Sequence, residues 1–342
     1  MPEPRVRVLV VDDSAFARKV VRETLASSDR IEVVGVARDG LEALEKIAEL
    51  KPDVVTLDLV MPNLDGVGTL RELNHLGQQV RVVLVSISDD DSDLVVEAFQ
   101  LGAVDLVRKP TALATNRLYE LRDELVRKVL GAAKARSGAQ KPVSEPTPIP
   151  PRVAGQTDLV AIGTSTGGPQ ALTQLLAAIP AEFPPLVIAL HIPAEYTGPL
   201  AERLNQLSHL EVKEAEDGLE LVRGRAILAR GGLHMRVERA KGRLVVETSR
   251  DPMSAIYTPS VDVLFTSVAA ACGARSLGVV LTGMGDDGLI GARAMHAAGA
   301  PILTESEESC VIYGMPRSVA EAGLSSGAIA LSSMAAELVK RT

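Results

Sequence analysis

Short runs of consecutive apolar, mostly β-branched residues constrain this chain more than any other feature. RVRVLVVDD, IEVVGVA and DVVTLDLVMP alternate with the amphipathic stretches FARKVVRETLASS and GLEALEKIAEL. A strand that is apolar on successive residues is covered on both faces, and strands alternating with helices achieve this in a parallel sheet flanked by helices. The pattern predicts a doubly wound α/β domain over 1–130. It collapses at GAAKARSGAQKPVSEPTPIPPRVAGQT, where Pro, Gly, Ala and Ser dominate, and a flexible linker is expected over 131–156. Alternation restarts at DLVAIG and continues through PLVIALHI, the hairpin-like MRVERAKGRLVVET, the helix-like SVDVLFTSVAAAC and SLGVVLTG. A second doubly wound, Rossmann-like α/β domain is expected over 157–342, and 342 residues suit two ordinary domains.

Composition narrows the function classes. With 36 Lys+Arg against 44 Asp+Glu the formal charge is −8, which argues against a protein whose main task is gripping phosphate backbones. Nucleic acid is not an expected partner. No apolar run is long enough to cross a bilayer, so direct membrane insertion is not expected. The start, MPEPRVRVLVVDDS, puts a charged strand where a secretory signal carries an apolar stretch, and a cytoplasmic location is expected. Cys272 and Cys310 are too few and too far apart for a disulfide framework or a zinc site, and are read as inert, partly buried thiols.

Five polar residues fall where strands of the first domain finish. Asp12 and Asp13 end the first strand, Asp58 ends the third, Ser86 ends VVLVS, and Lys109 follows DLVR. In an open parallel sheet the carboxyl ends of the strands face one crevice, the usual ligand site of such folds. Three converging carboxylates repel one another, and a hard divalent cation such as Mg²⁺ is the usual remedy. A lysine and a serine opposite them suit phosphoryl oxygens, and a carboxylate can accept a phosphoryl group. Any one aspartate alone reads more readily as a helix or turn cap; all five residues together at strand ends do not.

VLVVDDS, DVVTLDLVMPNLDG and GAVDLVRKP resemble the flavodoxin-like receiver domain of bacterial two-component response regulators. The resemblance implies that Asp58 takes phosphate from a histidine kinase, that Asp12 and Asp13 help Asp58 hold Mg²⁺, and that Ser86 and Lys109 contact the phosphoryl group. Leu106 stands where the family often has an aromatic residue, a departure that bears on the output step of the switch.

In the second domain VAIGTSTGGPQALTQLL runs strand, glycine turn, helix. A dinucleotide fingerprint needs glycine where Ser165 stands and an acid at the end of the next strand, and both are missing. Gly163-Thr164-Ser165-Thr166-Gly167 fits the G-x-S-x-G nucleophile elbow instead, with a helix N-terminus suited to a developing oxyanion. The next strand ends in His191, a candidate base. His75, His209, His234 and His296 compete with it, and at least three of these four are read as satisfied surface or core histidines. SLGVVLTGMGDDG supplies Asp286 and Asp287, one of which should orient the imidazole. The order Ser, His, Asp differs from that of α/β-hydrolases.

IGTSTGGP, LHIPAEYTGPLAERLN, EAEDG, PSVDVLF, LTGMGDDG and VIYGMP resemble the catalytic domain of the chemotaxis protein-glutamate methylesterases of the CheB type. The resemblance implies Ser165 as nucleophile, His191 as base and then acid, and Asp287 as orienting carboxylate. It also implies that the Met284 N–H forms part of the oxyanion hole with Thr166 beside the nucleophile, and leaves Asp286 solvated. Methyl-accepting chemoreceptors are the implied substrate and a CheA-type histidine kinase the implied phosphodonor. Ester hydrolysis should need no cofactor, and a monomer is the expected state. Two departures, in LARGGLHM and LTESEES, are expected to alter rim contacts and not the triad.

Two other classes fit less well. A DNA-binding response regulator ends in a short helical module with a basic recognition helix, unlike the α/β pattern over 157–342. A catalytically idle interaction module would not need all three triad positions filled.

Overall fold

The structure is a computed structural model that describes residues 4–86, 92–109, 115–135 and 157–342, with the side chains of 115–121 excepted. The chain divides into two compact units, Met1–Ala139 and Gln140–Thr342. Of the stretch read as a linker, residues 136–156 lie outside the described residues, and 131–134 form the last turn of a helix.

The first unit runs β1 (Val6–Val11), α1 (Ala15–Ala26), β2 (Ile31–Ala37), α2 (Gly40–Leu50), β3 (Val54–Leu57), α3 (Gly66–His75), β4 (Arg81–Ser86), α4 (Ser92–Gln100), β5 (Asp105–Arg108) and α5 (Thr115–Lys134). The strands form a sheet of order β2-β1-β3-β4-β5, parallel throughout. Its central strands are apolar on successive residues because both faces are covered: Val8 to Val11, Val54, Val55, Leu57 and Val82 to Val85 are all buried. Helix starts are fixed by side-chain caps: Ser14 accepts from the Ala17 N–H, Asp39 from Glu42 and Asp65 from Gly68.

The second unit runs β6 (Leu159–Thr164), α6 (Gly168–Ala177), β7 (Leu186–Leu190), α7 (Ala194–Leu207), β8 (Glu211–Glu214), β9 (Arg225–Leu228), β10 (His234–Ala240), β11 (Arg243–Ser249), α8 (Val261–Cys272), β12 (Ser276–Val280), α9 (Leu289–Ala297), β13 (Ile302–Glu305), α10 (Met315–Glu321), β14 (Gly327–Ile329) and α11 (Leu331–Arg341). Seven strands form a parallel sheet of order β14-β13-β12-β6-β7-β9-β8. The chain order reverses direction across β6, so β6, β7 and β12 bring their carboxyl ends together. The antiparallel hairpin β10–β11 stands apart from this sheet. Its two-residue turn, Lys241-Gly242, has φ of 49° and 82°, the left-handed pair that matches strand twist in a hairpin. Met235, Val237, Leu244 and Val246 of the hairpin pack with Leu264, Phe265 and Val268 of α8 in one core.

Both free thiols fit the sequence reading: Cys272 is half-buried and pushed up to about 11 by burial, and Cys310 is buried. No described helix is long and apolar enough to cross a membrane.

Close packing behind Asp58 yields a stability prediction. A Cβ on Gly66 would lie 2.4 Å from the Asp58 carbonyl oxygen and 2.8 Å from Leu59 Cα, both backbone atoms that cannot step aside. Gly66→Ala is expected to destabilise the first unit by about 1–3 kcal/mol, read as an earlier urea transition.

Candidate functional site

In the first unit, Asp12 and Asp13 follow β1, Asp58 follows β3, Ser86 closes β4 and Lys109 follows β5. The strand order makes these ends neighbours. Lys109 Nζ lies 2.6 Å from Asp12 Oδ2 and 2.8 Å from Asp58 Oδ2. These three residues and Ser86 are buried, whereas Asp13 is exposed. Backbone donors hold the remaining carboxylate oxygens: Ser14 N–H reaches Asp12 Oδ1 at 2.9 Å, and Leu59 N–H reaches Asp58 Oδ1 at 2.9 Å. Arg18 donates to the carbonyls of Asp12 and Asp13, fixing the turn between β1 and α1. Burial pushes the Asp58 carboxyl up to about 6, against the pull of Lys109. Leu106, in β5, is buried within the sheet.

One carboxylate oxygen from each of Asp12, Asp13 and Asp58 lies within 4.8 Å of the other two. Three carboxylates beside one ammonium leave two negative charges uncompensated. An all-oxygen donor set with that charge deficit fits a hard divalent cation.

In the second unit, Ser165 sits in the turn from β6 to α6. The turn closes through Gly167, whose φ of 80° lies in the left-handed region, and a Cβ there would come 2.7 Å from Val311 Cβ. Ser165 N–H donates to the Thr282 carbonyl at 3.1 Å, and its own carbonyl accepts from Gly168 N–H at 2.7 Å. Thr282, in the loop after β12, gathers further bonds. Its carbonyl accepts from Thr164 Oγ1 at 2.7 Å, and its Oγ1 donates to the Thr166 carbonyl at 3.0 Å and accepts from Ile312 N–H at 2.9 Å. The next residue, Gly283, has no room for a side chain, since a Cβ would lie 3.0 Å from Ser165 Cβ and 2.3 Å from Met315 Sδ. The Met284 N–H that follows donates to no backbone acceptor among the described residues.

His191 follows β7, the neighbour of β6, and its Nε2 lies 2.8 Å from Asp287 Oδ2. A carboxylate only accepts, so Nε2 carries the proton and Nδ1 the lone pair. Nδ1 is buried, with no hydrogen-bond partner among the described residues. The Tyr257 ring stacks on the imidazole, with centroids 4.2 Å apart and planes at 9°. Asp287 is also buried. Its Oδ2 accepts from Val261 N–H at 2.8 Å, and its Oδ1 from Ser260 Oγ at 2.9 Å and Asp262 N–H at 3.0 Å. It thus sits on the N-terminus of α8, where peptide dipoles favour negative charge. Burial opposes its ionisation, but the hydrogen bond from His191 and the two backbone N–H donors outweigh burial and hold the carboxyl below the usual range. Asp286 is exposed.

Sequence reasoning missed several supporting residues. The N-cap Ser260 was readable from Ser-Val-Asp before an apolar run. Tyr257, Thr282 and His234 carry no local signal. His234 was one of the competing histidines. It is buried, its Nδ1 accepts from Ser260 N–H at 3.2 Å, and Nε2–H donates to the Pro252 carbonyl at 3.3 Å. Burial pushes its pKa down, consistent with a neutral ring that accepts. LARGGLHM and LTESEES carry the buried His234 and Glu305, each of which satisfies a backbone N–H, while Arg230, Glu307 and Glu308 of the same segments are exposed.

Two measurements test this geometry. Ser260→Ala removes both a helix cap and a donor to Asp287, and should destabilise the second unit by about 1–2 kcal/mol in thermal or urea unfolding. For Asp58 the folded-state pKa is raised, so stability from its neutral form is fully present below 3.8 and is lost as pH rises through about 6. In metal-free buffer Asp58→Asn should therefore stabilise the first unit more at about pH 7.5 than at about pH 4.

Residues 160–338 match the family model for the CheB methylesterase, and residues 8–120 match that for the response regulator receiver domain. The chain is 57% identical over 337 residues to protein-glutamate methylesterase/protein-glutamine glutaminase 5 of Myxococcus xanthus, covering 97% of each chain. It is 42% identical over 344 residues to the protein-glutamate methylesterase/protein-glutamine glutaminase of Geobacillus kaustophilus, covering 98% of each. Among solved structures, the Thermotoga maritima CheB methylesterase catalytic domain superposes with a TM-score of 0.52 at 34% identity, covering 55% of this chain and 98% of that one. A methylesterase match over more than half of the sequence, together with end-to-end identity to these relatives, establishes that the chain belongs to the CheB methylesterase family and carries a response regulator receiver domain ahead of its catalytic domain.

Proposed function

We propose that this protein is a phosphorylation-activated hydrolase that removes methyl esters from glutamates of methyl-accepting chemoreceptors, and deamidates glutamines there, giving sensory adaptation in a chemotaxis-type pathway. In this reading the receiver domain spans 1–130, a linker 131–156 and the methylesterase domain 157–342. The observation that carries it is the His191–Asp287 bond at 2.8 Å, which leaves Nδ1 as a buried acceptor at the strand ends shared with the Ser165 turn.

The chemistry follows from those atoms. His191 Nδ1 takes the hydroxyl proton of Ser165 as Oγ attacks the γ-carbonyl carbon of the ester. Asp287 stabilises the imidazolium that results, and the Met284 N–H donates to the oxyanion. Collapse breaks the bond to the methoxy group, and His191 returns its proton to the departing methanol. Water then attacks the acyl-serine while His191 takes its proton and passes it back to Ser165 Oγ, releasing glutamate. With glutamine the leaving group is ammonia.

In the receiver domain, Asp58 is the phosphoryl acceptor for a CheA-type kinase. Asp12, Asp13 and Asp58 would hold a Mg²⁺, which would supply neutralising charge for the incoming phosphoryl group. Lys109 and Ser86 hold phosphoryl oxygens, Lys109 giving up one of its carboxylate partners to do so. A protein working as a monomer in the cytoplasm completes the reading.

The deciding experiment measures methanol release from a methylated receptor fragment, with Mg²⁺, with and without a small phosphodonor. Release should rise with the phosphodonor. Ser165→Ala should cut it to the residual of about 10³–10⁴ over water that oxyanion donors and binding alone supply, while Asp58 still takes phosphate. Full activity in that variant overturns the triad. Asp58→Asn should lose the stimulation, and equal stimulation of variant and wild type overturns the switch.

A further inference from the structure

Glu305 closes β13 and is wholly buried, yet no step of the hydrolysis uses its carboxyl. Its Oε2 accepts the Thr282 N–H at 2.8 Å, and its Oε1 lies 2.9 Å from Ser309 Oγ. Ser309 Oγ also accepts from Leu331 N–H at 3.0 Å and lies 3.3 Å from the Ser306 carbonyl. That hydroxyl has one proton and two oxygens competing for it. A neutral Glu305 resolves the competition: its carbonyl oxygen accepts from Thr282, its hydroxyl donates to Ser309, and Ser309 donates to Ser306.

An ionised Glu305 finds no counter-charge: among the described residues no lysine or arginine contributes to its surroundings, and only hydrogen bonds from the Thr282 N–H, Ser309 and Cys310 oppose the burial penalty. The titratable groups on its own loop are Cys310 and the exposed Glu307 and Glu308, none of which supplies positive charge. A buried carboxyl in such a place takes up a proton rather than remain charged. Burial accordingly pushes the Glu305 carboxyl up.

Thr282, which Glu305 holds, bonds Thr164, Ser165 and Thr166 and stands two residues before Met284. We propose that Glu305 is a positioning residue for ester hydrolysis, fixing the Ser165 turn through Thr282, and that it does so as the neutral acid. The inference rests on the methylesterase reading. Ionisation of Glu305 would place an uncompensated negative charge behind the turn that must receive an oxyanion, where protein rather than water surrounds it.

The test uses the full chain, methanol release across pH, and NMR of threonine amides with selective ¹⁵N labelling. Glu305→Gln keeps one acceptor and one donor edge, as the neutral acid does; Glu305→Leu keeps neither. Glu305→Leu should lower kcat about tenfold or more with little change in KM, and Glu305→Gln should restore it. Wild-type kcat/KM should fall as pH rises through the Glu305 ionisation, and Glu305→Gln should lack that fall. The Thr282 amide resonance should titrate with the same midpoint in wild type and stay still in Glu305→Gln. Superimposable profiles, with a Thr282 amide indifferent to pH in wild type, overturn the inference. If Glu305→Leu does not fold, the wild-type and Gln comparison decides alone. A wild type that releases no methanol at any pH overturns the methylesterase reading, and the Thr282 amide still decides whether Glu305 is neutral.

Discussion

One buried carboxylate organises the second unit. Taking Asp287 out of water costs several kcal/mol unless donors replace the water it loses. Four do so: His191 Nε2, Ser260 Oγ and the N–H groups of Val261 and Asp262. Three belong to the start of α8, so that helix must abut the loop after β12. The fourth fixes the plane and tautomer of an imidazole delivered by β7. The site's geometry is what remains once that charge is satisfied, and α8 is locked by its own apolar face against the hairpin.

The first unit meets the same problem with a different remedy. Asp12 and Asp58 are buried at the ends of adjacent strands, and a lysine ammonium lies between them. An ammonium on a flexible stem can move, whereas peptide N–H groups in a helix cannot. In the proposed function, exchangeable compensation suits a carboxylate that would take a phosphoryl group, and fixed compensation suits one that would stay ionised through turnover. The two constellations share a place in the fold and differ in how freely the counter-charge can leave.

Much of this was legible in the sequence because fully covered parallel strands write themselves as unbroken apolar runs. The residues ending those runs had to lie together, which put Asp12, Asp58, Ser86 and Lys109 in one crevice and Ser165 and His191 in another. Spacing alone did not separate Asp287 from Asp286; family resemblance did, and the structure buries the first and exposes the second. Thr282, Glu305 and His234 stayed hidden for a different reason. Each acts through a backbone N–H or carbonyl of a residue distant in sequence, and such bonds leave no periodicity.

The hairpin β10–β11 bears on the site from outside the sheet. It is not hydrogen-bonded into the seven-stranded sheet; it is held by α8, by the Val237 N–H on Ser267 Oγ, and by the strip around Gly218 to Leu221 along β11. His234 opens the hairpin, and through Ser260 it reaches the carboxylate that holds His191. The alignment of that imidazole therefore depends on an element outside the sheet that delivers it, and is tied to the packing of the hairpin on α8 as much as to the strands.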